Sequence, residues 1–159
     1  MIFKFSRLLA FFLLFSCTIK SDEYEITILA TNIANFGGVG EWSFSALLEN
    51  EKESILFDTG FDEDTVLHNA QLLGKDLGKV EKVILSHFHG DHTGGLLKLR
   101  KTYMKINPKS FSTVYVADGF FEQRYDIDGN LRGFIGGFDD VNEFMKETDP
   151  FTIPKPKNK

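Results

Sequence analysis

The chain has 159 residues, 42 % of them hydrophobic, enough for one packed domain of ordinary size, and a formal net charge of -5. That acidic balance argues against the basic face that non-specific nucleic-acid binding needs, so no nucleic-acid partner is expected. Cys17 is the only cysteine, which excludes an intrachain disulfide.

Lys4 and Arg7 precede an apolar run from Leu8 to Phe15, too short to span a bilayer and about the length of a signal-peptide core. Leu14-Phe15-Ser16-Cys17 resembles a bacterial lipobox, in which a small residue precedes a cysteine that is lipidated and becomes the mature N-terminus. Residues 1–16 are read as a signal peptide, Cys17 as the lipidation site and residues 17–23 as a tether. The chain is then an exported, membrane-anchored lipoprotein of the periplasm or cell surface. Ordinary secretion, with Cys17 incidental, and an uncleaved anchor are the alternatives.

Glu25 to Ala30 alternates in part and is rich in β-branched residues, which predicts a strand. A glycine-rich loop, Asn35 to Gly40, separates it from a second strand, Trp42 to Leu48. A turn at Asn50 to Glu53 leads to a third, Ser54 to Phe57, completing a meander. Phe36 and Trp42 have two readings, a pocket entrance or ordinary core packing. Asp58-Thr59-Gly60 ends the third strand, and Asp58 is placed to cap a following helix. Asp62 to Leu73 reads as that helix, with Val66, Leu67, Ala70 and Leu73 on one face and Gly74 as its stop. His68 lies on it, as a surface or partly buried residue.

Val80 to Ser86 is a further strand, Leu96 to Met104 a helix and Thr113 to Ala117 a strand. Asp126 to Asn130 is a turn, Asp139 to Lys146 a short helix, and Pro150 to Lys159, with its prolines and lysines, an unstructured tail. Residues 24–149 thus form a layered α/β domain.

His87-Phe88-His89-Gly90-Asp91-His92 holds three of the four histidines of the chain within six positions. Alternation along a strand would point His87 and His89 the same way, toward one ion. A turn at Gly90, where no Cβ obstructs, would bring Asp91 and His92 to a second. Two metals roughly 3.5–4 Å apart suit hydrolysis, because they generate hydroxide near neutral pH and stabilise the developing oxyanion. Nitrogen and oxygen donors without thiolate fit Zn²⁺, with Mn²⁺ or Fe as alternatives.

The His-x-His-x-Asp-His pattern after an apolar strand, with Asp58-Thr59-Gly60 about thirty residues earlier, resembles the metallo-β-lactamase superfamily. The resemblance implies an αββα sandwich with a dinuclear site at one edge, of which this chain carries the N-terminal half. His87 and His89 would bind the first metal, Asp91 and His92 the second. Asp91 would also orient the attacking metal-bound hydroxide, and Asp58 would support the ligand loop without being a ligand. The runs Ser54 to Gly60, Leu67 to Ala70, Leu73 to Leu77, Val83 to His87 and Thr93 to Leu96 are similar to the subgroup of dihydropterin–ribofuranosylaminobenzene-phosphate synthase-like proteins. Members usually have Gly where Phe88 stands and often Tyr where Gly90 stands.

The family takes a further histidine for each metal and a bridging aspartate from later segments, whereas residues 93–159 contain no histidine. Asp118, Asp126, Asp128, Asp139 and Asp140 are available as substitutes, though turn formation is their ordinary role. Two protein ligands per ion, where catalytic zinc usually has three, favour an inactive truncated product or weak metal-binding lipoprotein for the polypeptide as it stands. The family label favours a metal-dependent hydrolase acting on an unidentified small molecule. A pterin-related synthase-like transferase, and assembly with a second chain that completes the domain, are further readings.

Overall fold

The computed structural model describes residues 23–132 and 146–153. Cys17 with the whole predicted signal peptide, Asp139 and Asp140, and nearly all of the predicted helix ending at Lys146 lie outside the described residues. The chain builds one mixed six-stranded sheet in the order β1 (Glu25–Ala30), β2 (Ser45–Glu49), β3 (Ser54–Phe57), β4 (Lys82–Ile84), β5 (Thr113–Ala117) and β8 (Asp149–Ile153). The first three strands are the predicted antiparallel meander. From β3 onward the pairing is parallel. Helices α1 (Thr65–Leu72) and α3 (Leu96–Tyr103) connect parallel strands, α2 (Gly90–Thr93) is a single turn, and β6 (Arg124–Tyr125) with β7 (Leu131–Arg132) is a small separate hairpin.

Register explains where the core lies. Paired residues of neighbouring strands point to the same face, and successive residues to opposite faces. Leu47, Leu56, Val83 and Val114 are aligned across four strands, and all are fully buried. Val66 and Ala70 of α1 and Leu96 and Leu99 of α3 belong to the same core. The opposite face carries a second aligned row, Ile28, Ala46, Phe57, Ile84 and Tyr115, beside Ile26, Leu48 and Ile55. Ile26 is 63 % and Ile28 46 % exposed, so among the described residues this face has no covering layer at its β1 edge.

Three expectations need correction. The predicted tail contains a strand: β8, starting at Asp149, pairs with β5 over five residues. Its Phe151-Thr152-Ile153 segment has strand-forming residues, and Pro150 sits at an edge strand, where a missing N–H is tolerated. Residues 154–159 lie outside the described residues. The buried face of α1 is Thr65, Val66, Asn69 and Ala70, whereas Leu73 is exposed, because the helix ends at Leu72 and the chain leaves the sheet at Gly74 (φ +67°). Finally, β4 ends at Ile84, so strand alternation does not extend to His87 and His89.

Candidate metal centre

Parallel α/β sheets place their sites beyond the carboxyl ends of their strands, where loops diverge. Asp58 follows β3 and Ser86 to His92 follow the neighbouring parallel strand β4, so both reach the same sheet end. Asp58 is the centre of the construction. It is 1 % exposed and has a positive φ of 53°, a backbone state costly for a non-glycine residue unless its surroundings hold it. Its N–H donates to the Ile84 carbonyl at 2.9 Å, and its own carbonyl accepts from Ser45 Oγ at 2.8 Å. Its carboxylate accepts from the Ser86 N–H at Oδ1 (2.7 Å), and from Ser86 Oγ and His92 Nδ1 at Oδ2 (both 2.7 Å). Asp58 therefore supports the loop from Ser86 to His92. It does not cap α1, whose preceding residue is Asp64.

The next two residues continue the clamp. The Thr59 N–H and Oγ1 both donate to the His92 carbonyl, at 2.8 and 3.1 Å. The Gly94 N–H donates to the carbonyls of Gly60 and Gly90, each at 2.9 Å. This approach is so close that a Cβ on Gly94 would lie 1.9 Å from the Phe61 oxygen, and one on Gly95 2.3 Å from the Thr59 oxygen. The Thr93-Gly94-Gly95 run is thus a contact surface for the loop 58–61, which only glycine permits.

On this support His87, Asp91 and His92 converge. Each offers a ligand atom, and those atoms lie within 4.8 Å of one another. The rings of His87 and His92 are 4.1 Å apart, and His92 Nε2 is 3.5 Å from Asp91 Oδ2. His89 meets His87 edge-on, at 4.6 Å between ring centres, but is not in the convergent group. The grouping therefore cuts across the expected pairs of His87 with His89 and Asp91 with His92. The physical reason is the early end of β4: His89 is the residue that introduces α2 (φ -71°, ψ 148°), and α2 itself brings Asp91 and His92 back toward His87. Burial lowers the pKa of the His87 imidazole, and His92 and His89 lower it further, so near neutrality it has a lone pair to donate. One carboxylate and two imidazoles converging on one point, with a buried carboxylate behind one of the rings, fit a divalent cation.

Phe88 packs against the core, with the Arg124 guanidinium over its ring at 4.6 Å. Arg124 in turn donates to the carbonyls of Glu122 and Gly119 at 2.6 and 2.7 Å, fixing the loop after β5. Asp126, a possible substitute ligand, is spent on the β6–β7 turn, accepting from the N–H groups of Asp128 and Asn130 and from Asn130 Nδ2. His68 is exposed, with Nε2 2.9 Å from the Gly37 carbonyl, and stands apart from the cluster as expected. Phe36 is 100 % and Trp42 79 % exposed, so neither packs in the core.

Two further anchors carry no signal in the local sequence. Asn69, nearly buried on α1, donates from Nδ2 to the Leu29 and Val39 carbonyls at 2.7 and 2.8 Å, and accepts from the Val39 N–H at 2.9 Å. It holds the glycine-rich loop beside an apolar cavity of about 170 Å³ bounded by Ile28, Ile33, Val39 and Leu72. Glu41 accepts from Ser43 Oγ, the N–H groups of Phe61 and Asp62 and Thr65 Oγ1, at 2.6 to 3.0 Å. It ties the same loop to the segment between β3 and α1.

Comparison with known proteins agrees with this construction. The family model of the metallo-β-lactamase superfamily matches residues 42–149, a span containing both Asp58 and the histidine cluster. A protein of Methanocaldococcus jannaschii, 7,8-dihydropterin-6-methyl-4-(β-D-ribofuranosyl)-aminobenzene-5'-phosphate synthase, is 36 % identical over 95 residues, 56 % of this chain and 32 % of the relative. The anti-Pycsar protein Apyc1 of Paenibacillus sp. is 30 % identical over 112 residues, 67 % of this chain and 44 % of the relative. The crystal structure of Tm1679, a metal-dependent hydrolase of the β-lactamase superfamily, superposes with a TM-score of 0.59 at 29 % identity, covering 84 % of this chain and 43 % of that one. The chain spans less than half the length of each of these relatives. With the family model covering most of its length and the mixed α/β sheet presenting the cluster at its strand ends, the chain belongs to the metallo-β-lactamase superfamily.

Proposed function

We propose that the chain is a metal-dependent hydrolase, or the ligand-bearing half of one, acting on a small molecule with an ester, amide, thioester or phosphoester bond. The observation that carries this reading is the convergence of His87, Asp91 and His92 at the ends of two parallel strands, backed by Asp58. His87 and His92 would hold zinc through ring nitrogens and Asp91 through a carboxylate oxygen, with His89 supplying a further imidazole. Zinc held there would supply a lowered pKa for water and polarisation of the scissile group. Asp91 would orient the attacking water by accepting its hydrogen bond, take up its proton and pass that proton to the leaving group. Asp58 would keep the His92 ring oriented by accepting from Nδ1, which leaves Nε2 for the metal.

The N-terminal segment supports export and a lipid anchor at Cys17. The apolar row from Ile28 to Tyr115 supports completion of the domain by a further unit, covalent or a second chain, that covers this face and supplies the remaining ligands. A second reading, synthase chemistry, draws on the 36 % identity to the M. jannaschii synthase. Incubation of the zinc-supplemented full chain with chromogenic ester, thioester and phosphodiester substrates tests the hydrolase reading. Turnover that Asp91→Asn abolishes is the expected result. Zinc binding without turnover of any of these classes would leave the remnant or synthase readings in its place.

A further inference from the structure

Ser86 precedes the cluster and is not a metal ligand, yet its hydroxyl lies between a buried carboxylate and two imidazoles. Ser86 Oγ is 2.7 Å from Asp58 Oδ2, 2.9 Å from His87 Nδ1 and 3.4 Å from His92 Nδ1. Counting protons settles who donates to whom. A carboxylate offers only acceptors, so the single Ser86 hydroxyl proton belongs to the contact with Asp58. Ser86 Oγ then has only lone pairs to offer His87 Nδ1. Two lone pairs facing each other at 2.9 Å would repel, so His87 must carry a proton on Nδ1. His92 Nδ1, at 2.7 Å from the same carboxylate oxygen, must donate too.

We propose that Ser86 is a positioning residue that relays the Asp58 carboxylate to His87, holding its ring as the Nδ1–H tautomer so that the Nε2 lone pair is free for a metal. Asp58 thereby sets two imidazoles, His92 directly and His87 through one hydroxyl. His92 Nε2 lies 3.5 Å from Asp91 Oδ2, and the relay leaves Nε2 as the free lone-pair donor of the His87 ring. The partner of the second ring nitrogen decides which tautomer a ligating histidine adopts. Ser86 itself is exposed, so its hydroxyl can be removed without opening the core.

This inference rests on the metal-site reading, and its test separates the two. The full chain, metal-free and labelled with ¹⁵N at histidine, is examined by long-range ¹H–¹⁵N correlation at about pH 8, above the ordinary imidazole pKa. His87 is expected to carry its proton on Nδ1. Ser86→Ala should lose that preference at His87 while His92, bonded to Asp58 directly, keeps its own. Ser86→Thr, which retains the hydroxyl, should restore it. Zinc affinity should fall about 10- to 100-fold in Ser86→Ala and recover in Ser86→Thr. An Nε2–H tautomer at His87 in the unsubstituted chain would overturn the relay. So would a Ser86→Ala chain with unchanged tautomer and zinc affinity, or one in which both rings change together, which marks a merely structural role. An Nδ1–H signature in a chain that takes up no zinc would support the relay and overturn the metal reading.

Discussion

Two loops leave the same end of the sheet, and they are held in different ways. The ligand loop after β4 is gripped from below by Asp58 and from the side by backbone-to-backbone contact, with Gly94 and Gly95 pressed against residues 59–61. The loop after β1 is held by side chains, Asn69 reaching in from α1 and the loop's own Glu41 reaching out to the β3–α1 segment, and it leaves Ile33, Phe36 and Trp42 in solvent. Close backbone packing fixes ligand positions to the fraction of an ångström that a metal requires. A loop tied by a few polar side chains leaves its apolar residues exposed. The two are joined where the Phe44 N–H donates to the Asp91 carbonyl at 3.3 Å.

The largest effect that would break this contrast comes from Gly94→Ala. The new methyl would meet backbone, not a movable side chain, so the ligand loop must shift. A loss of about 3 kcal/mol or more is expected in denaturant unfolding, together with loss of zinc binding. Asn69→Ala should cost about 2 kcal/mol, since it strands two carbonyls and one N–H in a partly closed space. It should leave the zinc affinity unchanged, because it acts on the other loop. If zinc binding falls along with stability, the two loops are one unit and the contrast fails.

The smallest effect concerns pH. Burial alone would raise the pKa of Glu41, but its hydrogen bonds from Ser43, Phe61, Asp62 and Thr65 outweigh that and leave it below its ordinary 4.5. A depressed carboxylate pKa adds stability that is fully present above the unfolded value and disappears as pH falls through the folded one. Unfolding curves from neutral pH down through about 4 should show that acid loss in the unsubstituted chain and a flatter limb in Glu41→Gln. Identical acid limbs would remove Glu41 from the account of the first loop.

What could be read from the sequence divides along the same line. β1, β3 and β5 were legible to the residue because their β-branched and apolar runs are bounded by turn residues. Asp58 and the histidine-rich segment from His87 to His92 stand out in the sequence because they are dense local patterns. Asn69 and Glu41 gave no signal, since the carbonyls and N–H groups they bind lie 20 to 40 positions away and only the fold brings them near. The pairing of histidines by strand alternation failed for a related reason. Three residues of β4 suffice to reach the site, and the return of Asp91 and His92 is made by a helical turn at Gly90 that periodicity does not show. β8 is hidden by Pro150, which an edge strand accepts.

The central claim is that the segment from His87 to His92, set on Asp58, is a metal site. Equilibrium dialysis of the metal-free full chain against zinc, with the bound metal counted by mass spectrometry, tests it most directly beside His87→Ala and Asp91→Ala. The account predicts saturable zinc binding by the unsubstituted chain, weakened at least about tenfold in either variant. Zinc held equally well by all three chains, or by none of them, would contradict it.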